Sequence, residues 1–149
     1  MSKPTILVVE DDPDHLELTL DTLQQHGLPH DIAVVHDGQE ALEYLFCEGI
    51  FSDRDPDHQP ELVLLDLDLP KLNGMAVIQR LRDDPRTFFI PVIMLTSASE
   101  QSQAVVAFKG GLNGYLSKPL DYFEFEEKLQ QLKAIWRSSD LAPLGASDA

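Results

Sequence analysis

Three stretches of the chain are nearly continuous runs of valine, isoleucine and leucine: Thr5–Glu10, Leu62–Asp66 and Pro91–Thr96. Continuous apolar runs are typical of strands in a parallel sheet, because helices bury both faces of the sheet. Two shorter strand-like segments, Asp31–His36 and Gly114–Ser117, bring the predicted number of strands to five. The sequence therefore predicts a central sheet that needs cover on both sides.

Helical segments separate these strands. The first is delimited by Asp12 as N-cap, Pro13 at the first helical position and Gly27 as a stop signal. The second begins with Asp37 and Glu40 at the spacing of a capping box. Three more are predicted to begin near Gly74, near Ser97 or Ser99, and after Pro119. Strands alternating with helices predict an α/β fold, a doubly wound (βα)5 arrangement around a five-stranded parallel sheet.

The length of 149 residues is that of one ordinary domain. We assign residues 3–137 to this domain and residues 138–149 to a C-terminal tail, whose low-complexity sequence from about Arg137 predicts a loose segment. The segment Cys47–Pro60 is long for a connection between a helix and a strand.

The negative charge of the chain argues against several classes of partner. With 26 Asp and Glu against 11 Lys and Arg, the net charge is -15, which disfavours nucleic acid and anionic membrane surfaces. Cys47 is the only cysteine, so no internal disulfide is expected and a reducing compartment is indicated. No N-terminal apolar run is long enough for a signal peptide or a membrane span, and we expect a cytoplasmic protein.

Charged and hydroxyl side chains stand at the carboxyl ends of the predicted strands. Glu10 and Asp11 follow the first strand, Asp66 ends the third, Thr96 ends the fourth and Lys118 follows the fifth. These ends meet at one edge of a parallel sheet, where ligands bind. Carboxylate oxygens suit Mg²⁺, an aspartate can attack phosphorus, and a lysine can hold a phosphoryl oxygen. The sequence predicts a Mg²⁺-assisted aspartyl-phosphate site.

Four segments, "ILVVED", "LLDLDLP", "IMLTS" and "GYLSKP", resemble the receiver domain of two-component response regulators. The resemblance covers about residues 3–136. It implies a flavodoxin-like fold with strand order 2-1-3-4-5, Mg²⁺ as cofactor and a sensor histidine kinase as phosphoryl donor. It also implies a phosphoacceptor signalling protein, which assists its own phosphorylation and dephosphorylation, and not an enzyme that turns over a substrate.

The resemblance assigns the metal and phosphoacceptor residues. Asp66 matches the phosphoacceptor, and Glu10 and Asp11 match the acidic pair that holds Mg²⁺ together with Asp66. Asp68 matches the position whose main-chain carbonyl is a metal ligand. Its acidic side chain stands where many receivers have a neutral one, which leaves the lifetime of the phosphorylated state open. Asp12, a third acid in the same segment, is better used as the helix cap.

The resemblance also assigns the residues that respond to phosphorylation. Thr96 matches the hydroxyl that moves to the phosphoryl group, and Tyr115 matches the switch aromatic. Lys118 matches the lysine of the site, and the bond to Pro119 is usually cis in the family. Two alternatives stay open: Thr96 could only prepare the start of the next helix, and Tyr115 could be an ordinary rim residue.

The long Cys47–Pro60 loop and the tail resemble single-domain regulators that partner cyanobacterial phytochromes. This narrower resemblance implies a phytochrome as the kinase. The phosphorylated chain is expected to act through its surface, on a partner, on a downstream phosphotransfer protein or by dimerising. No second domain follows the last predicted helix, so a DNA-binding regulator is not expected. Homodimerisation is expected through the last helix and the tail, which carry apolar residues beyond the needs of the core: Phe123, Ile135, Trp136, Leu141 and Leu144.

An enzyme of a different class shares part of this pattern. Asp66 and Asp68 resemble the first motif of haloacid-dehalogenase-type phosphatases, which also form an aspartyl phosphate. In those enzymes a hydroxylated or β-branched residue usually occupies the position of Pro70, and further metal-binding acids follow the lysine. Here the acids precede the nucleophile, and a single helix follows Lys118. The phosphatase is therefore the alternative to the receiver.

Overall fold

The computed structural model describes residues 4–67, 69, 74–96 and 113–141, with the side chains of the last helix described as far as residue 134. Its strands are β1 (Thr5–Val9), β2 (Asp31–Val35), β3 (Leu62–Asp66), β4 (Val92–Thr96) and β5 (Gly114–Ser117). They form one parallel sheet in the order β2-β1-β3-β4-β5. The predicted flavodoxin-like order 2-1-3-4-5 is confirmed.

Four helices lie within the described residues: α1 (Pro13–Gln25), α2 (Gly38–Leu45), α3 (Gly74–Arg82) and α4 (Tyr122–Leu141). Helix α4 is the fifth of the predicted helices, since the one predicted from Ser97 or Ser99 lies outside the described residues. Helix α4 continues through residues 138–141, which the sequence analysis assigned to a loose tail. No helix in the described ranges is long and apolar enough to cross a membrane.

The predicted helix caps are present. The side chain of Asp12 accepts hydrogen bonds from the backbone N–H groups at the start of α1, and Gly27 follows that helix with a φ of 61°. Asp37 accepts from the Glu40 N–H at 2.8 Å, while Glu40 Oε1 accepts from the His36 N–H at 2.8 Å. Both helices therefore begin where local hydrogen bonding satisfies their free N–H groups.

Alternate residues of the central strands point to opposite faces of the sheet, and both sets are buried. One face packs against α2 and α3, with a core that includes Leu7, Val9, Leu45, Val63, Leu65, Val77 and Leu81. The other packs against α1 and α4, with a core that includes Ile6, Val8, Leu23, Leu62, Leu64, Phe125 and Leu129. Burial on both faces explains why these strands are continuous apolar runs.

The side chain of Arg54 helps to anchor the long loop before β3 to α2. The guanidinium of Arg54 lies 3.8 Å from the centroid of the Tyr44 ring and donates to the main-chain carbonyl of Tyr44. Its second nitrogen donates to the carbonyl of His58 at 2.6 Å. A 3-10 turn, Gly49–Phe51, begins the loop. The predicted long connection is thus an ordered element packed against the domain.

Candidate functional site

The acidic residues predicted to converge do lie together at the carboxyl edge of the sheet. Glu10 follows β1 and its N–H donates to the carbonyl of Val35 at 3.0 Å, which holds it beside β2. Carboxylate oxygens of Glu10, Asp11 and Asp66 all lie within 4.8 Å of one another. Glu10 and Asp66 are each 1% exposed, whereas Asp11 is exposed. The cluster is therefore accessible to solvent on the Asp11 side.

Lys118 supplies the positive charge of the site. It follows β5, and its N–H donates to the carbonyl of Thr96 at 2.8 Å. Its ammonium donates to Asp66 Oδ2 at 2.8 Å and lies 3.6 Å from Glu10 Oε1. The peptide bond to Pro119 is cis, as the family resemblance implied. One ammonium thus faces two buried carboxylates, with a third acid beside them, and the site keeps a net negative charge.

Burial governs the protonation of this cluster. Burial, the contact with Asp66 and the charge of Asp66 together raise the pKa of Glu10 from 4.5 to about 7, although a hydrogen bond from the Asp12 N–H and the charge of Lys118 oppose them. For Lys118, burial disfavours the ammonium, but its contacts with Asp66 and Glu10 prevail and raise its pKa. Near neutral pH Glu10 is therefore close to the midpoint of its titration, and a cation that binds the ionised carboxylate would displace the proton.

Among the residues that the structure describes, two buried oxygen atoms at this edge find no hydrogen-bond partner: Glu10 Oε1 and Thr96 Oγ1. The 3.6 Å separation of Glu10 Oε1 from the Lys118 ammonium is too long for a hydrogen bond. Buried polar atoms are normally paired, and exceptions often mark the place of an ion or a reacting group. A cluster of carboxylates in which one buried oxygen has no hydrogen-bond partner suits a hard divalent cation. The residues present fit Mg²⁺.

Asp68 and Tyr115 were the remaining predicted site residues. Asp68 lies outside the described residues. Tyr115 lies in the edge strand β5 opposite Met94, and it is 39% exposed. It is therefore a surface aromatic on the strand that leads into Lys118.

Gly74 is a residue whose role the sequence analysis missed. Helix α3 begins so close to the end of β3 that a Cβ atom at Gly74 would lie 2.8 Å from the main-chain oxygen of Asp66 and 3.1 Å from Leu67 Cα. The Gly74 N–H donates to the carbonyl of Leu67 at 3.1 Å. The sequence did contain one indication of this role, because Gly74 stands at the start of a predicted helix, where glycine is a poor helix former. Gly74 allows the helix to approach the backbone that carries Asp66.

Replacing Gly74 with alanine should destabilise the protein, although alanine is normally the better helix former. The new methyl group would displace backbone, which we expect to cost about 1–3 kcal/mol. Gly114→Ala is the matched control, because the atoms nearest to its Cβ would belong to the flexible Lys128 side chain, at 3.4 Å. Chemical denaturation of both variants measures the difference. Equal stability of the two variants would contradict the assigned role.

Comparison with known proteins adds an independent observation. The sequence profile described as the response regulator receiver domain matches residues 6–130. The DNA-binding dual master transcriptional regulator RpaA of Synechocystis sp. is 36% identical over 143 residues, which cover 96% of this chain and 53% of RpaA. The chain therefore spans about half the length of this relative. Response regulator Rcp1 of Synechocystis sp. is 27% identical over 138 residues, 93% of this chain and 92% of Rcp1.

Solved structures give the same picture. The bacteriophytochrome response regulator RtBRR superimposes with a TM-score of 0.81 at 43% identity, over 89% of this chain and 78% of RtBRR. The Mn²⁺-bound form of Rcp1 superimposes with a TM-score of 0.71 at 27% identity, over 91% of this chain and 94% of Rcp1. The phosphatase alternative receives no support from these similarities.

Proposed function

Because the chain belongs to the response regulator receiver family, we propose that Asp66 accepts a phosphoryl group from a sensor histidine kinase. The observation that carries this proposal is the buried Asp66 carboxylate, bound by Lys118 at 2.8 Å and facing Glu10 and Asp11 within 4.8 Å. The similarity to RtBRR supports a kinase of the phytochrome class. We also propose a cytoplasmic location, which suits a single unpaired cysteine, and a downstream phosphotransfer protein as a further partner.

In the proposed reaction, an oxygen of Asp66 attacks the phosphorus of a phosphohistidine. An O–P bond forms and the N–P bond breaks, and the histidine nitrogen leaves with the electron pair and takes up a proton. Lys118 lies beside Asp66 Oδ2, where its ammonium can hold an incoming phosphoryl oxygen. Glu10 and Asp11 keep the edge of the sheet negative, so the phosphoryl group needs additional positive charge.

A divalent cation fits the carboxylates, and we propose that it is Mg²⁺. Glu10, Asp11 and Asp66 would hold it, and the family resemblance adds the main-chain carbonyl of Asp68. Its chemical contribution, when bound, is to neutralise charge on the transferred phosphoryl oxygens. The Mn²⁺-bound form of Rcp1 supports a divalent ion in a similar protein.

Phosphorylation in vitro tests the proposal. The purified chain should incorporate label from a small phosphodonor such as acetyl phosphate when Mg²⁺ is present. The product should be stable to acid and cleaved by hydroxylamine, as an acyl phosphate is. Labelling that persists in excess chelator would contradict the role of the metal. Sustained turnover of a phosphate monoester would favour the phosphatase instead.

We further propose that Thr96 and Tyr115 report the phosphorylated state. The hydroxyl of Thr96 is fully buried and has no partner in the described part of the chain, so it is available to donate to a phosphoryl oxygen. Movement of Thr96 would vacate space next to β5, into which the half-exposed Tyr115 can turn. The surface formed by β5 and α4 would change as a result.

The same surface is the proposed site of homodimerisation. Phe123 on α4 is 76% exposed and its ring meets that of Tyr122 edge to face. The side chains of Ile135 and Trp136 lie outside the described residues.

We expect a phosphoryl mimic to increase the dimer fraction in sedimentation velocity, and we expect Thr96→Val to remove this response while Asp66 is still labelled. Phe123→Ser should shift the protein to monomer. A wild-type chain that stays monomeric at high micromolar concentration with and without the mimic would refute the dimer.

A further inference from the structure

A second surface, at the end of α3 remote from Asp66, combines arginines with exposed aromatic rings. We define this arginine–phenylalanine surface by Arg80, Arg86, Phe88 and Phe89. Helix α3 begins against the backbone of Asp66 and ends at Arg82, whose guanidinium donates to the carbonyl of Phe88. Nine helical residues rise about 13 Å. The surface is therefore separate from the carboxylate cluster.

The two guanidinium groups share one aromatic ring. The Cζ atoms of Arg80 and Arg86 each lie 4.7 Å from the centroid of Phe46, whose side chain is buried. Their separation is therefore at most twice that distance. Cation–π attraction to the ring helps to hold both cations in place. The chain thus concentrates positive charge here, despite a net charge of -15.

Carboxylates of the chain neutralise only part of this charge. Asp84 binds the Arg86 guanidinium at 3.0 and 2.8 Å. This pairing lowers the pKa of Asp84 to about 2, so Asp84 is ionised. Arg80 makes no ion pair within the part of the chain that the structure describes, although the chain carries 26 acidic residues. One exposed guanidinium is left for an external carboxylate.

The aromatic part of the surface is exposed and firmly held. Phe88 and Phe89 are 56% and 58% exposed, with ring centroids 6.0 Å apart in an edge-to-face arrangement. The Arg82 guanidinium donates to the carbonyls of Phe88 at 2.7 Å and Ile90 at 2.8 Å. The buried Thr87 hydroxyl donates to the carbonyl of Leu81 at 2.6 Å. The rings are therefore presented by a fixed turn, which reduces the ordering cost of binding.

From these observations we infer that the arginine–phenylalanine surface binds an acidic segment of a partner protein. Carboxylates of that segment pair with Arg80 and Arg86, and apolar side chains cover Phe88 and Phe89. Arginine binds carboxylates with two parallel hydrogen bonds. Arginine and aromatic side chains also supply much of the energy of protein interfaces.

This partner fits the surface better than two others do. A second copy of the chain is already assigned above to a different face, the surface around Phe123 on α4. Nucleic acid is a continuous polyanion, which the negative charge of the remaining surface repels around a small basic area. A short acidic segment with apolar residues matches this surface and does not extend over the negatively charged rest of the protein. Binding here does not depend on the proposed phosphorylation of Asp66.

The test uses the full ¹⁵N-labelled chain and a capped synthetic peptide in which a leucine–phenylalanine pair is flanked by glutamates. NMR titration should shift the signals of Arg80, Arg86, Phe88 and Phe89. Double charge reversal, Arg80→Glu with Arg86→Glu, should weaken binding about tenfold or more, as should Phe88→Ser with Phe89→Ser. A peptide with glutamine in place of glutamate should bind correspondingly less. Lys133→Glu, a charge reversal on α4, should bind normally.

Three results would overturn the inference. One is the absence of shifts at this surface at millimolar peptide, or shifts centred elsewhere. Another is a dimer of the wild-type chain that Phe88→Ser with Phe89→Ser dissociates, which would assign the surface to a second copy. The third is tighter binding of a DNA or RNA oligonucleotide than of the peptide. Phosphorylation of Asp66 in each variant shows that the fold is intact. A variant that is phosphorylated but does not bind the peptide has lost this surface and kept the proposed receiver function.

Discussion

Asp66→Asn should reduce phosphoryl incorporation from acetyl phosphate, in the presence of Mg²⁺, to background. The asparagine side chain has nearly the same shape, so Lys118 can still donate to its amide oxygen where it now donates to Asp66 Oδ2 at 2.8 Å. The amide is a poor nucleophile, however, and cannot form a stable acyl phosphate. The variant should therefore fold and fail only in the chemistry, which is the largest functional effect expected of any single substitution in this chain.

Asp53→Asn provides the matched control, because Asp53 is an exposed aspartate in the loop before β3. The control should be labelled as the wild type is. An acid-stable, hydroxylamine-sensitive label that remains on Asp66→Asn would show that another carboxylate accepts the phosphoryl group. Asp11 would then be the next candidate, since its carboxylate is exposed within the same cluster.

The strands and the position of the site could be predicted because the evidence for both is local. Buried strands such as β3 are continuous apolar runs, and a parallel sheet brings their carboxyl ends to one edge whatever the details of packing. Caps such as Asp12 and Asp37 depend on hydrogen bonds within three residues. The sequence therefore contains most of what places Glu10 and Asp66 at the same edge.

Features that depend on contacts between distant segments were not predictable. The clash that a side chain at Gly74 would cause involves the backbone of Asp66, and the raised pKa of Glu10 depends on burial beside Asp66. Arg54 anchors its loop by reaching back to the ring of Tyr44. The continuation of α4 to Leu141 was missed because the residues after Arg137 lack a strong apolar pattern. Sequence periodicity contains no direct signal for such contacts.

In the absence of divalent cations, Glu10 should make the protein less stable as the pH rises. The pKa of Glu10 is about 7 in the folded protein, against 4.5 for an ordinary glutamate. Between these values the folded protein holds a proton that the unfolded chain has released, so raising the pH favours unfolding. The contribution is fully present below pH 4.5 and is lost as the pH passes through about 7. We expect a fall in Tm on the order of 5 °C between about pH 5 and pH 8 in chelator.

Glu10→Gln isolates this effect from the titration of other groups, because glutamine keeps the shape and cannot ionise. The difference in Tm between wild type and Glu10→Gln should grow with pH in chelator, whereas the exposed Glu17→Gln on α1 should follow the wild type. Metal binding requires the ionised carboxylate, so Mg²⁺ should displace the proton and stabilise the wild type most at high pH. Parallel pH curves for wild type and Glu10→Gln would show that burial of Glu10 is not what controls the stability of the site. A curve that Mg²⁺ leaves unchanged would show that the buried acid is not a metal ligand.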